Sequence, residues 1–237
     1  MMTRRGFVAG TTGALLSTVT GGCSYFGRSA SIRYRMTVEV ATPQGLRSGS
    51  SVIESTMSIR RTFTDPRAIG YEVRGEAVVV DLPGGTLFAL LSNVRRGHSY
   101  QTYLLNDALQ DGVATPPLSR HYKGWEWAEE RAEARRVKPT IILSPKDYPA
   151  FVWFKDLRDP SSVQSIDPDK MSEVYGLEVG IQRVLITVTD DEITKGIRRR
   201  LPWLESYAEK YLDGVRASGG ASLASRLNTL DFGETKL

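Results

Sequence analysis

Ala77-Val78-Val79-Val80-Asp81-Leu82-Pro83-Gly84-Gly85-Thr86-Leu87-Phe88-Ala89-Leu90-Leu91 decides the fold of this chain. Two apolar runs flank Asp81–Gly85, whose Pro and Gly residues mark a turn. Val78, Val79 and Val80 are β-branched, and the run is apolar on both faces, as in a strand covered on both sides. The segment predicts a hairpin at the centre of the core.

Upstream, Ile32, Tyr34, Met36, Val38 and Val40 alternate with Arg33, Arg35, Thr37 and Glu39. That period of two predicts a half-buried strand. Pro43-Gln44-Gly45 turns the chain, and Ile53, Ser55, Met57 and Ile59 alternate again as an antiparallel partner. The Gly/Ser-rich stretch Leu46–Ser51 reads as a long connection between them. Downstream, Thr140–Leu143, Phe151–Phe154 and Ile181–Val188 read as further strands. Helices are expected at Tyr100–Leu109, at Trp125–Arg136, after an Asp167 cap with Pro168 in the first turn, from Asp190 towards Leu201, and from Trp203 to Val215. The fold class is therefore α+β, a mainly antiparallel sheet with peripheral helices packed on one side. A β-sandwich with helical insertions is the alternative.

The first thirty residues have a different grammar. Arg4 and Arg5 form a positive start, Phe7–Thr20 is uncharged and moderately apolar, and Gly21-Gly22 leads into Cys23. Charge, apolar run and small-residue exit are the parts of an export signal. Thr3-Arg4-Arg5-Gly6-Phe7 resembles the twin-arginine signal, and Val19-Thr20-Gly21-Gly22-Cys23 resembles the lipobox of bacterial lipoproteins, with Thr20 where that pattern usually has Leu. The resemblance implies cleavage before Cys23 and acylation of that cysteine, a membrane anchor facing the periplasm. Ser24 in place of Asp leans towards the outer membrane. The alternatives are a plain cleaved signal and a transmembrane helix. A span needs about 20 mainly apolar residues, and this run is shorter and diluted by Gly and Thr. The expected organisation is a signal peptide at 1–22, a lipidated tether at 23–31, one globular α+β domain at 32–215 and a C-terminal tail or short helix at 216–237.

Totals narrow the function classes. The 237 residues hold 31 Lys+Arg against 27 Asp+Glu. Arg4 and Arg5 belong to the segment expected to be removed, so the body is close to neutral. No basic patch with interleaved aromatics points to nucleic acid. Cys23 is the only cysteine, which rules out an internal disulfide and a multi-thiolate metal site. His98 and His121 have no metal-ligand spacing, and HExxH, GxSxG and the glycine-rich phosphate loops are absent. No cofactor is expected, and no catalytic residue is assigned.

The remaining candidates each have a plain structural alternative. Tyr122, Trp125 and Trp127 are candidate binding aromatics, with core filling as the commoner use of such residues. Asp190-Asp191-Glu192 reads as a helix start, with acids at the positive end of the dipole. Glu126, Glu129 and Glu130 with Arg131, Glu133 and Arg135 read as a solvated charged helix side. Arg198-Arg199-Arg200 reads as a helix-end charge run, or as a contact for anionic lipid head groups.

Three stretches of the body are Gly49–Glu54; Arg74–Pro83 with Thr86–Leu91; and Ile193–Ile197 with Arg200–Leu204. Together they resemble a group of Gram-negative bacterial proteins that has no assigned activity, so the resemblance implies neither cofactor nor catalytic residue. Two functions follow for testing. One is an envelope-anchored binding or structural module for a protein or glycan partner. The other is a periplasmic hydrolase using carboxylates or His121.

Overall fold

The alternation in the first strand is realised in full. Ile32, Tyr34, Met36, Val38 and Val40 are at most 1% exposed, while Arg33, Arg35 and Glu39 point to the opposite face. There Arg33 pairs with Glu54, Arg35 with Asp191 and Arg183 with Glu39. The computed structural model describes residues 28–60, 68–93, 97, 100–110, 118, 126–216 and 220–233. Arg4, Arg5, Cys23, His98, His121, Tyr122 and Trp125 lie outside the described residues.

The fold is α+β with mainly antiparallel sheet. The strands are β1 (Arg28–Ala41), β2 (Arg47–Arg60), β3 (Ala68–Arg74), β4 (Val78–Leu82), β5 (Gly85–Ala89), β6 (Thr140–Ile142), β7 (Phe151–Phe154), β8 (Val163–Ile166) and β9 (Gly180–Val188). Among the described residues they form two sheets rather than the one expected. The first has the order β3-β2-β1-β9-β6 and the second β4-β5-β7-β8. The helices are α1 (Tyr100–Gln110), α2 (Trp127–Val137), α3 (Met171–Tyr175) and α4 (Ile197–Arg200).

The decisive segment is the hairpin β4–β5, paired from Val78↔Ala89 to Leu82↔Gly85. Its two faces serve two cores. Val78, Val80, Leu87 and Ala89 join Tyr34, Met36 and Val38 between the sheets. Ala77, Phe88 and Leu90 belong to a second core on the far side. Apolar residues at consecutive positions were needed because both faces are covered.

Several elements depart from the sequence reading. β1 begins at Arg28, inside the expected tether. The supposed connection Leu46–Ser51 is mostly strand, since β2 starts at Arg47. Its small residues have a packing purpose: a Cβ on Gly49 would stand 1.9 Å from the Val79 carbonyl oxygen, so glycine lets β4 press against β2. β3 and β8 carried no clear alternation and were not foreseen.

The C-terminal region is an integral layer. Phe232 is fully buried, with its ring 6.1 Å from Phe88, 5.8 Å from Phe154 and 5.9 Å from Trp203. The backbone is tied back to the hairpin, as Ala77 N–H donates to Phe232 O and Leu91 N–H to Asp231 O. An Asn228–Asp231 capping box closes a single 3-10 turn at Thr229–Asp231. The helix expected over Trp203–Val215 is a 3-10 turn at Pro202–Glu205 followed by irregular chain. Trp203, Leu204 and Leu212 are buried in the second core without needing a helical stripe.

Candidate functional site

A groove opens where three distant pieces of chain meet: the start of β2, the link from β3 to β4, and the strap 189–196 that leads from β9 to α4. The strap is stitched to β2 by two bonds. Thr194 N–H donates to Val52 O at 3.2 Å, and Val52 N–H donates to the Thr194 hydroxyl at 2.8 Å. Glu76 secures the other side. Its two carboxylate oxygens accept the Gly196 and Ile197 N–H groups at 2.9 and 2.8 Å. These are orphan donors at the start of α4, so a carboxylate there satisfies both the bonds and the local charge.

One cavity of the groove is about 430 Å³, and an adjoining one of about 230 Å³ shares Glu76, Thr194, Lys195, Gly196 and Arg199 with it. The lining is rich in cations. Arg200 makes a two-pronged contact with Asp81 at 2.9 and 2.5 Å, and Arg198 meets Glu205 at 2.9 Å. The Arg200 contact holds the Asp81 carboxyl below its ordinary range. Lys195 and Arg199 have no such partner among the described residues. The Arg199 guanidinium lies over Gly196, where a Cβ would come within 2.8 Å of Nη2. Gly196 also sits at φ +144°, a conformation that excludes side chains on its own account.

The three stretches 49–54, 74–91 and 193–204, grouped together on sequence, converge here. Ser50 and Val52 come from the first, Glu76 and Asp81 from the second, and Thr194, Gly196 and Arg200 from the third. Arg198–Arg200 was visible in the sequence as a basic run at a helix end, and it occupies the last turn of α4. The roles of Glu76 and Thr194 carried no local signal. They depend on contacts across 121 and 142 residues of chain.

The acids Asp190–Glu192 do not start a helix. Asp191 accepts from Arg35 at 2.7 Å and from the Thr189 hydroxyl at 2.6 Å, and Asp190 pairs with Lys138. The cations that meet these acids are Arg35 of β1 and Lys138, the residue after α2. Carboxylates held this way are acceptors in structural pairs.

A second polar region lies under α1 and α2. The charged side expected on α2 is split. Glu126, Glu129, Arg135 and Arg136 are exposed, but Glu130 and Arg131 are 1% and 0% exposed. Arg131 donates from Nη1 to Ser55 O at 2.7 Å and Ala30 O at 3.1 Å, and from Nη2 to Ser55 Oγ and Asn106 Oδ1 at 3.3 Å. Burial lowers its pKa to about 10 and raises that of Glu130 to about 7. Beneath it the Tyr34 hydroxyl donates to Gln101 Oε1 at 2.5 Å, and burial pushes that phenol above its ordinary value. Trp127, one turn before Arg131, is 5% exposed and belongs to the interior rather than to an open aromatic face.

Among the described residues, no group of three or more His, Cys, Asp or Glu is placed to hold a metal ion, and no helix is long and apolar enough to cross a membrane. No protein-family model, curated protein or solved structure matches this chain.

Proposed function

We propose that this chain is an exported lipoprotein, anchored through Cys23 to a membrane and facing the periplasm, with a leaning to the outer membrane. Its body is a binding or structural module that holds an envelope partner, protein or glycan, in the groove beside α4. One observation carries the binding reading. The groove presents two cations, Lys195 and Arg199, that have no ion-pair partner among the described residues, while the carboxylate within it, Glu76, has both oxygens committed to backbone N–H groups. A carboxylate so engaged is poorly placed to shuttle protons, whereas exposed cations at a groove suit recognition of a charged partner. The signal grammar of residues 1–23 supports the anchor.

Intact mass of the chain recovered from cell membranes tests the anchor. The expected product starts at Cys23 and carries acyl chains. A product that retains Met1, or that has a bare thiol and stays in the soluble fraction, overturns it. Crosslinking in whole cells from a photoreactive residue at position 195 tests the groove. A specific adduct that disappears in the Arg199→Glu variant supports the module, and repeated absence of any adduct counts against it.

A further inference from the structure

We infer that the groove beside α4 is a phosphate-binding site, with Lys195, Arg199 and the hydroxyls of Thr194 and Ser50 as its donors. This goes beyond the preceding reading by assigning the groove a phosphate-bearing ligand; it rests on the groove and not on the anchor.

The donor inventory leads to phosphate. The Lys195 ammonium has three N–H bonds and the Arg199 guanidinium a planar fork, and neither side chain is paired among the described residues. The Thr194 hydroxyl accepts the Val52 N–H, so its own proton is free to donate. The Ser50 hydroxyl accepts Arg35 Nη1 at 3.2 Å and is likewise left with its proton. Two cations exceed the single charge of a carboxylate, whose two oxygens also lie in one plane. A phosphate offers more oxygens and a second charge, and a guanidinium fork matches its geometry.

The surroundings favour the same ligand. Glu76 is turned onto the Gly196 and Ile197 N–H groups, so its oxygens are engaged by the backbone rather than by Lys195 or Arg199. Asp81 and Glu205 are matched by Arg200 and Arg198, so Lys195 and Arg199 outweigh the single Glu76 charge and the lining is net positive. Gly196 allows the Arg199 head to lie flat along the strap. The phosphate has two potential sources, a lipid head group or a soluble phosphate ester. Val52, at the groove, is opposite Arg35, seven residues along β1 from the strand's first residue. At about 3.3 Å per residue the groove therefore lies roughly 23 Å along the sheet from the start of β1.

The test uses the full chain in detergent, with amide NMR shifts followed during titration with sodium phosphate at constant ionic strength and with sodium acetate in parallel. Saturable shifts at Thr194–Ile197 with phosphate, and at least tenfold weaker binding in the Lys195→Met/Arg199→Met double variant, are expected. Both residues are exposed, so an unchanged circular dichroism spectrum and Tm establish that the variant is folded. Two further arms locate the source: glycerol phosphate in solution, and phosphatidylcholine vesicles with and without phosphatidylglycerol. Binding in either arm that is lost in the double variant supports the site and assigns its ligand. Equal, unsaturated responses to phosphate and acetate, or a double variant that binds as well as the parent, overturn it. A phosphate failure alongside a Lys195 crosslink would sink this inference and leave the module reading standing.

Discussion

Arg131 and Arg199 sit in charge-rich helical segments that look alike on paper, yet the fold uses them in opposite ways. Arg131 has no exposure and spends four donor contacts on two strands and a helix. Arg199 is exposed, makes no ion pair among the described residues and lines a groove. The difference lies in what packs above each one. α2 lies against β1, and its inner side must fill the space over Ser55 and Tyr34. α4 is one turn long, held at its start by Glu76, and leaves its cations facing water. A guanidinium is structural when its donors are consumed by the protein and functional when they are left for something else.

The sharpest way to break this comparison is Arg131→Ala. It strands Ser55 O, Asn106 Oδ1 and Ala30 O and opens a cavity, so chemical denaturation should show a loss of about 3–5 kcal/mol. Arg131→Met, which fills the space without the charge, should cost well under half of that. A loss below about 1 kcal/mol in Arg131→Ala would place Arg131 with the surface arginines.

Glu130 gives a smaller effect with a distinct pH signature. Its folded pKa of about 7 is above the ordinary 4.5, so the folded state binds the proton more tightly than the unfolded chain. Its contribution is complete below about pH 4.5 and is lost as pH rises through about 7. Denaturation midpoints should therefore fall across that window, and Glu130→Gln should remove the fall and add about 2 kcal/mol at pH 8. A parallel decline in the variant would assign the pH dependence to another group.

The Arg200–Asp81 pair belongs to the groove side and should matter less. Both partners are about half exposed, so Arg200→Ala should cost no more than about 1 kcal/mol. Asp81 is held low, chiefly by Arg200, so its share is present above pH 3.8 and disappears as the pH falls through the lower folded value. Acid unfolding of Asp81→Asn should lack that step. The smallest effect on stability is expected for Arg199→Ala, within about 0.5 kcal/mol by thermal melting. A Tm drop comparable to that of Arg131→Ala would mean that Arg199 is holding the fold together.

Legibility followed the range of the interaction. The period-two face of β1, the valine-rich hairpin, α1 and β9 were readable because each depends on neighbours within a few residues. Ser48-Gly49-Ser50 looked like a loop because its smallness serves a close approach by β4 that no local pattern announces. The helix expected from Trp203 dissolved because Phe88, Phe154 and Phe232 offered its apolar residues better burial than a stripe could. At the site, the basic run at 198–200 could be seen, but not the Glu76 clasp that positions it.

Amino-acid order by itself determined the α+β class, the central hairpin and the presence of a basic run in α4. Those properties follow from side-chain size, charge and short-range periodicity, which chain neighbours share. Tertiary structure alone decided that there are two sheets, that Arg131 is interior while Arg199 is not, and that β2, the β3–β4 link and the strap enclose one groove. Burial and hydrogen-bond satisfaction depend on partners more than a hundred residues away, and only the folded chain brings them within reach.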